Sequence, residues 1–430
     1  MDRFVIEGKS KLKGRVQIKG AKNSMLPIMA ASVLSAGPGD IVLENIPNLK
    51  DMHIMMKILR AIGVKAAYED NTLYINPSTI ELYSIPEDLM SEMRSSIFLM
   101  GPVLARLGKV KFTSPGGCSI GPRPIDLHLK GLEALGAKIW EEKGFIFVSA
   151  PRLQGAEIHL DYPSVGATEN LMMTAALAKG RTIINNAAKE PEIVDLQNFL
   201  NTMGAKVRGG GTETLRINGV ESLYKCKYSI IPDRIVAGTY LMAGAITGGK
   251  VRVENVIPTH LDAVIAKLKE AGVNIYSGDD FLEVDNGSLQ AVDTLRTLPY
   301  PGFPTDLQAQ MMALLSLAKG KSVIVESVFE SRFRHVDELR RMGADITTED
   351  REAVVQGVDA LYGAEVNSAD LRAGAALVLA GLAAEGVTTV TGVNHIDRGY
   401  EKFEETLNQL GANITRVNDN KGFNKGRYIL

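Results

Sequence analysis

Cysteine is scarce in this chain: Cys118 and Cys226 are its only two thiols in 430 residues. Two cysteines make neither a disulfide framework nor a zinc set, and they point to a reducing cytosol. Charge of one sign is lacking too, since 48 Lys and Arg against 50 Asp and Glu leave a net charge of −2. That balance gives no support to binding nucleic acid or a membrane surface nonspecifically. No uninterrupted apolar run approaches the roughly 18 residues of a membrane span. The segment Met1 to Lys9 is charged and has no signal-peptide core. A soluble, cytoplasmic protein is expected. No stretch satisfies the Walker pattern or a dinucleotide GxGxxG, so neither ATP nor NAD is expected as a cofactor. No His, Cys and carboxylate cluster has metal-ligand spacing, so no metal is expected either.

Against these absences stands a sixfold repeat. An apolar residue, Gly, a small residue and a polar one recur around Gly63, Gly136, Gly204, Gly272, Gly343 and Gly411, at intervals of 73, 68, 68, 71 and 68 residues. Each glycine reads as a helix C-cap, followed by a strand. Each unit predicts an apolar first helix, for example Ser24 to Leu34, Asn170 to Ala178, Gln308 to Ala318 or Gly374 to Ala384. A β-branched strand, an amphipathic second helix and a closing strand follow. Helices apolar nearly all round must be buried. The expected fold is therefore α/β, with buried helices enclosed by sheet: a two-lobed inside-out α/β barrel, six repeats of about 70 residues and three per lobe. The polar passage from Ser222 to Ile231 is the expected crossover, and a site is expected between the lobes. Gly209 to Gly211 reads as a hairpin turn rather than a phosphate loop.

Unusual polar residues fall at equivalent places, at the start of a helix or in the loop before one. They are Lys22-Asn23, Arg94, Arg123, Thr305-Asp306, Arg332 and Arg334, Asp370-Leu371-Arg372, and His395-Ile396-Asp397-Arg398. If equivalent helix ends point the same way, five or six cations and one or two carboxylates converge, as a substrate rich in phosphate and carboxylate requires. Taken alone, Arg332 and Arg334 read more readily as solvated surface charges, and Asp306 reads equally well as a helix N-cap. His128 reads as a packing residue, and Cys226 has no assigned role. Cys118 sits in Pro115-Gly116-Gly117-Cys118-Ser119-Ile120-Gly121, just before Arg123-Pro124-Ile125-Asp126-Leu127-His128. A thiol on a glycine-rich loop beside an anion-favouring helix start is a candidate reactive group.

These motifs, with Gly20-Ala21-Lys22-Asn23, Glu190-Pro191-Glu192-Ile193-Val194-Asp195, Gly302-Phe303-Pro304-Thr305-Asp306 and His395-Ile396-Asp397-Arg398-Gly399-Tyr400, resemble the enolpyruvyl transferase family, in its branch that acts on UDP-N-acetylglucosamine. They run from residue 20 to residue 400. The resemblance implies lobes of 22–230 and of 1–21 plus 231–430, the first carrying the Cys118 loop and the second Asp306 and Arg398. It implies transfer of the enolpyruvyl group of phosphoenolpyruvate to the 3′-hydroxyl of UDP-N-acetylglucosamine, with release of phosphate through a tetrahedral ketal, in peptidoglycan synthesis. No cofactor is implied, and no partner beyond these two small molecules. By resemblance Cys118 delivers a proton to the methylene carbon, can form a covalent adduct with phosphoenolpyruvate and is the target of fosfomycin. Lys22, Arg123 and Arg398 hold phosphate and carboxylate, with Arg94, Arg332 and Arg372 extending the cluster. Asp306 deprotonates the sugar hydroxyl and Asn23 contacts the sugar. Arg123, Pro124, Ile125, Asp126 and Leu127, with Ser164, Val165 and Val328, line the nucleotide-sugar site. The family often carries Lys-Val where this chain has Tyr162-Pro163, so no side-chain contact to the diphosphate or uracil carries over there. The sister branch that uses 3-phosphoshikimate lacks the glycine-rich thiol loop, and a catalytically idle paralogue has no need of these residues together.

Overall fold

The computed structural model describes residues 2–113, 124–285 and 287–418. All six repeat glycines adopt the left-handed backbone, with φ between 80° and 103°. Each ends an amphipathic helix: Lys50–Ala61, Asp126–Ala134, Pro191–Thr202, Asp262–Glu270, Val336–Arg341 and Phe403–Gln409. A side chain at that φ is strained, which is why glycine recurs there. Two residues on, a strand begins each time, at Lys65, Lys138, Lys206, Asn274, Asp345 and Asn413.

Among the described residues six small sheets result, five of four strands and one of three. In the third unit Glu157–His159 runs parallel to Arg181–Asn185, with helix Val165–Ala175 crossing between them, and antiparallel Thr214–Asn218 and Lys206–Arg208 complete the sheet. The loop 209–213 joins the last two strands in a hairpin, as the triple glycine predicts. In the second unit the parallel strand shrinks to a single bridge from Ser84 to Lys111. Strand residues alternate between buried and exposed, as they must when one sheet face covers a core.

The first helices Lys22–Ala31, Val165–Ala175, Arg234–Ile246, Gln308–Leu315 and Leu371–Ala383 are buried almost all round, and Met100–Leu107 is buried over Met100 to Leu104. Each fully buried Leu, Ile or Met stabilises by roughly 1.5–3 kcal/mol, so sheet must enclose these helices. Several begin earlier than the apolar pattern predicts, at Val165 rather than Asn170 and at Leu371 rather than Gly374. Their first turns carry polar residues, Thr168, Glu169 and Arg372, that are nevertheless buried. Arg94, expected on a first helix, starts the 3-10 turn Arg94–Leu99 that leads into one.

Two hydrophobic cores form, one from Met25 to Ile230 and one from Phe4 to Ile18 together with Ile235 to Ile414. The chain start crosses over: strand Asp2–Glu7 pairs with Val387–Thr391 and Asn413–Asn418, and Lys13–Gln17 pairs with Lys250–Glu254. In return Lys227–Ser229 pairs with Ile41–Glu44, closing the first unit. The two connections run side by side, with Gly20 bridged to Pro232 and the Ala21 N–H donating to Ile231 O at 2.7 Å. No helix among the described residues is long and apolar enough to cross a membrane.

Candidate active site

A cleft of about 970 Å³ opens between the two cores. That is the upper end of ordinary small-molecule sites, with room for a nucleotide sugar. Residues at the start of five buried first helices line it: Lys22-Asn23, Ser164-Val165, Arg234-Ile235, Thr305-Asp306 and Asp370-Leu371-Arg372. The sixth, Met100–Leu107, contributes Arg94 and Ile97 from the turn that leads into it. Helix N-termini carry partial positive charge and free N–H groups, so their convergence favours an anion.

Several of these ends are capped across long stretches of chain. Asp233 accepts from Ile235 N–H and Val236 N–H with one oxygen, and from Lys22 N–H at 3.1 Å with the other. One buried carboxylate thus caps a central helix in each half, where Ala21 has no capping side chain. Asp195 likewise accepts from Ser24, from the Tyr228 hydroxyl and from Ile231 N–H, fixing the crossover.

Two carboxylates organise the cations. Asp51, 1% exposed, pairs with Lys22 Nζ at 2.6 Å and Arg398 Nε at 2.8 Å. Burial alone would raise its pKa, but Lys22 and Arg398 outweigh burial and hold the carboxyl below its ordinary range. Burial pulls the Lys22 ammonium down from its ordinary value; Asp51 opposes that shift, while Arg372 and Arg398 add to it. Asp306 accepts from Arg332 and Arg372 at 2.9 Å each, and Asn23 Nδ2 stands 3.5 Å from its second oxygen. Here again burial raises the pKa, and Arg372 and Arg332 override it, leaving the carboxyl far below its ordinary range. Asp306 makes no cap hydrogen bond, so the helix-cap reading is corrected. Arg332 and Arg334 part company: Arg332 is 4% exposed and on Asp306, whereas Arg334 faces solvent. A solvated role therefore holds only for Arg334.

Of the remaining sequence-derived residues, Arg94, Pro124, Asp126, Leu127 and Val328 also line the cleft. Ile125 instead packs against the first core. Cys118 and Arg123 lie outside the described residues. Among the described cleft residues six cations face eight acidic side chains, more than the one or two the sequence suggests. The extra ones include Asp51 and Glu169, to which the sequence assigns no role, and Glu190 and Glu192, which appear there only within the motif Glu190 to Asp195. Asp51 left no signal, because an acidic residue in a first helical turn is ordinary. Glu192 pairs through both oxygens with Arg234, and Glu190 accepts from Tyr300 N–H at 3.2 Å, so the acidic end also ties the halves together.

Glu169 is fully buried, and neither of its oxygens has a hydrogen-bond partner among the described residues. Burial first, then Glu192 and Glu190, push its pKa well above the ordinary value. The unfolded chain releases this proton in the usual carboxylate range while the folded chain keeps it, so stability falls as pH rises above that range. Glu169→Gln is therefore expected to melt higher than the wild type at pH 8 by about 2 °C, with the gap closing toward pH 4.5. A gap that stays constant in scanning calorimetry would mean that Glu169 does not titrate this way.

Comparisons with known proteins agree with this arrangement. The family model for EPSP synthase (3-phosphoshikimate 1-carboxyvinyltransferase) matches residues 6–407. The chain is 54% identical to UDP-N-acetylglucosamine 1-carboxyvinyltransferase 2 of Carboxydothermus hydrogenoformans, over 97% of this chain and 100% of that one. It is also 54% identical to UDP-N-acetylglucosamine 1-carboxyvinyltransferase 1 of Symbiobacterium thermophilum, over 97% and 95%. The enolpyruvyl transferase NikO from Streptomyces tendae superposes with a TM-score of 0.87 at 26% identity, covering 97% of this chain and 99% of its own. EPSP synthase from Acinetobacter baumannii shares the fold, with a TM-score of 0.75 at 20% identity over 97% and 100%. The two-lobed α/β architecture and the extent of these matches lead to one assignment: the chain belongs to the enolpyruvyl transferase family, among relatives that are UDP-N-acetylglucosamine 1-carboxyvinyltransferases.

Proposed function

We propose that this protein transfers the enolpyruvyl group of phosphoenolpyruvate to the 3′-hydroxyl of UDP-N-acetylglucosamine, releasing phosphate, as a step of peptidoglycan synthesis in the cytoplasm. The observation that carries this reading is the pair of carboxylates Asp51 and Asp306, each shared by two cations at converging helix ends. A small ligand with both phosphate and carboxylate meets four cations there, and arginine suits its bidentate oxygens. The lobes are then 22–230 and 1–21 plus 231–430, with the reaction between them.

In the addition step the sugar oxygen bonds to C2 of phosphoenolpyruvate while the methylene carbon takes a proton, which Cys118 supplies by family resemblance. In the elimination step the C2–O bond to phosphate breaks, the methyl carbon loses a proton, and the double bond re-forms. Asp306 takes the hydroxyl proton. With both arginines on it, the carboxylate is too acidic for that task, so the reaction requires the substrate's anions to draw the arginines off. Lys22 and Arg398 hold the phosphate, Asn23 the sugar, and Ser164, Val165, Pro124, Leu127 and Val328 the nucleotide side.

The test is phosphate release from the full-length chain with phosphoenolpyruvate and either UDP-N-acetylglucosamine or shikimate 3-phosphate. Release with the first acceptor alone, blocked by fosfomycin, is expected; release with the second alone would assign the sister reaction. Cys118→Ala is expected to lose steady turnover. Cys118→Asp keeps a proton donor without a sulfur nucleophile, so it retains activity and escapes fosfomycin. Native turnover by Cys118→Ala would remove the thiol from the chemistry.

A further inference from the structure

Beneath the cleft, the three central helices of the second half meet in a buried polar knot. Thr239, Gln310 and Arg372 come one from each helix, and Tyr400 enters from the segment after Arg398. All four are at most 4% exposed. Proton counting gives the knot a direction. The Thr239 hydroxyl donates its single proton to Ile235 O at 2.9 Å. Its oxygen therefore accepts from the Tyr400 hydroxyl, also at 2.9 Å. With its own proton committed, the phenolic oxygen is an acceptor for Arg372 Nη1 at 3.3 Å and for Gln310 Nε2 at 3.2 Å. The opposite nitrogen of Arg372, Nη2, reaches out to Asp306 at 2.9 Å.

The guanidinium is thus held at both ends, by a neutral phenol inside and a carboxylate at the cleft. The two anchors differ in what they leave available. A carboxylate neutralises the charge it positions, while a phenol fixes direction and leaves the full positive charge for an incoming anion. The Tyr400 ring lies 5.7 Å from the guanidinium carbon and packs 4.6 Å from the Phe403 ring, so it has little freedom to turn away. Gln310 Nε2 also donates to the Asp306 carbonyl at 3.1 Å, tying the same knot to the backbone of the proposed base.

We propose that Tyr400 is a positioning residue of the transfer site: its hydroxyl, oriented by Thr239, keeps Arg372 aimed into the cleft when substrate anions take Asp306's place. This rests on the proposed function, and acts through Arg372 rather than on the reacting atoms. Without the hydroxyl, Arg372 Nη1 loses its interior acceptor and the guanidinium collapses onto Asp306, which weakens both the anion contact and the base.

The test is a double-mutant cycle on the full-length chain, following phosphate release. Tyr400→Phe is expected to lower kcat about 10- to 100-fold, the range for one hydrogen bond to a charged group, and to raise KM for phosphoenolpyruvate with KM for UDP-N-acetylglucosamine unchanged. In an Arg372→Lys background the same change is expected to cost under about threefold, because the group it positions is already gone. Equal losses in both backgrounds, or a wild-type rate for Tyr400→Phe, would overturn the proposal. Thr239→Val removes the acceptor that orients the phenol, and a smaller loss with the same KM pattern is expected. Should Tyr400→Phe fail to fold, an unchanged KM for phosphoenolpyruvate in Thr239→Val overturns the proposal by itself. A wild-type chain that releases no phosphate from these substrates points instead to the functional reading.

Discussion

Asp306→Asn is expected to bind both substrates and to turn over about 10³-fold more slowly, within the range of lost general-base catalysis. The geometry explains why binding and rate separate. Asp306 is about a quarter exposed and accepts from Arg332 and Arg372 at equal distances. An amide of the same shape keeps one acceptor oxygen, and substrate phosphate or carboxylate supplies the arginines with the anion they have lost. KM for phosphoenolpyruvate should therefore hold or fall while kcat collapses. A pH signature accompanies this in the wild type. With its pKa held far below the ordinary range in the free protein, Asp306 contributes no acid limb to kcat/KM near pH 4. Once substrate draws the arginines away its basicity recovers, so the acid limb of kcat lies at higher pH than that of kcat/KM. Steady-state kinetics from pH 3.5 to pH 9 make the check. A variant within threefold of wild-type kcat would reduce Asp306 to an anchor for its two arginines.

The second large effect is expected at Asp51, which no sequence motif marks. Asp51→Asn leaves the buried Lys22 ammonium and Arg398 without their shared anion, and breaking such a pair costs about 3–5 kcal/mol. Asp51 is also what most opposes the loss of the Lys22 proton, since burial and two arginines already pull that pKa down. In the variant Lys22 gives up its proton nearer neutrality. Below its unfolded pKa the unfolded chain still holds this proton where the folded chain has shed it, so the variant's stability rises with pH across that window. Binding of phosphoenolpyruvate moves the other way, because a neutral amine is a poor phosphate ligand. Melting temperature and KM for phosphoenolpyruvate, measured together from pH 6.5 to pH 9, are expected to rise together in Asp51→Asn, with KM nearly flat in the wild type. Wild-type stability with a flat KM would show that Asp51 neither supports Lys22 nor joins the halves.

These two carboxylates differ in how far the chain announces them. Asp306 stands in Phe303-Pro304-Thr305-Asp306, a local phrase opening a helix, and the sequence alone singles it out. Asp51 stands in an ordinary first turn, and its importance comes from Arg398, 347 residues away. The same contrast separates Arg332 from Arg334. They are alike in sequence, yet the backbone sends one onto Asp306 and the other into solvent. Helix starts were the least legible boundaries, because buried polar residues such as Glu169 and Arg372 interrupt the apolar pattern where the cleft needs them.

By itself the sequence determined the sixfold α/β repeat, the buried first helices and the phrases that mark the family. Each is a local demand: a glycine where φ must be positive, or a run too apolar to face water. Tertiary structure alone decided the exchange of the first strands into the second half and the capping of two helices by Asp233. It also decided which carboxylate holds Lys22, Arg332, Arg372 and Arg398. These contacts join residues on separate elements, some of them hundreds of positions apart, as Arg398 is from Asp51 and Asp233 from Lys22, so their geometry is set by packing and leaves no periodicity in the chain.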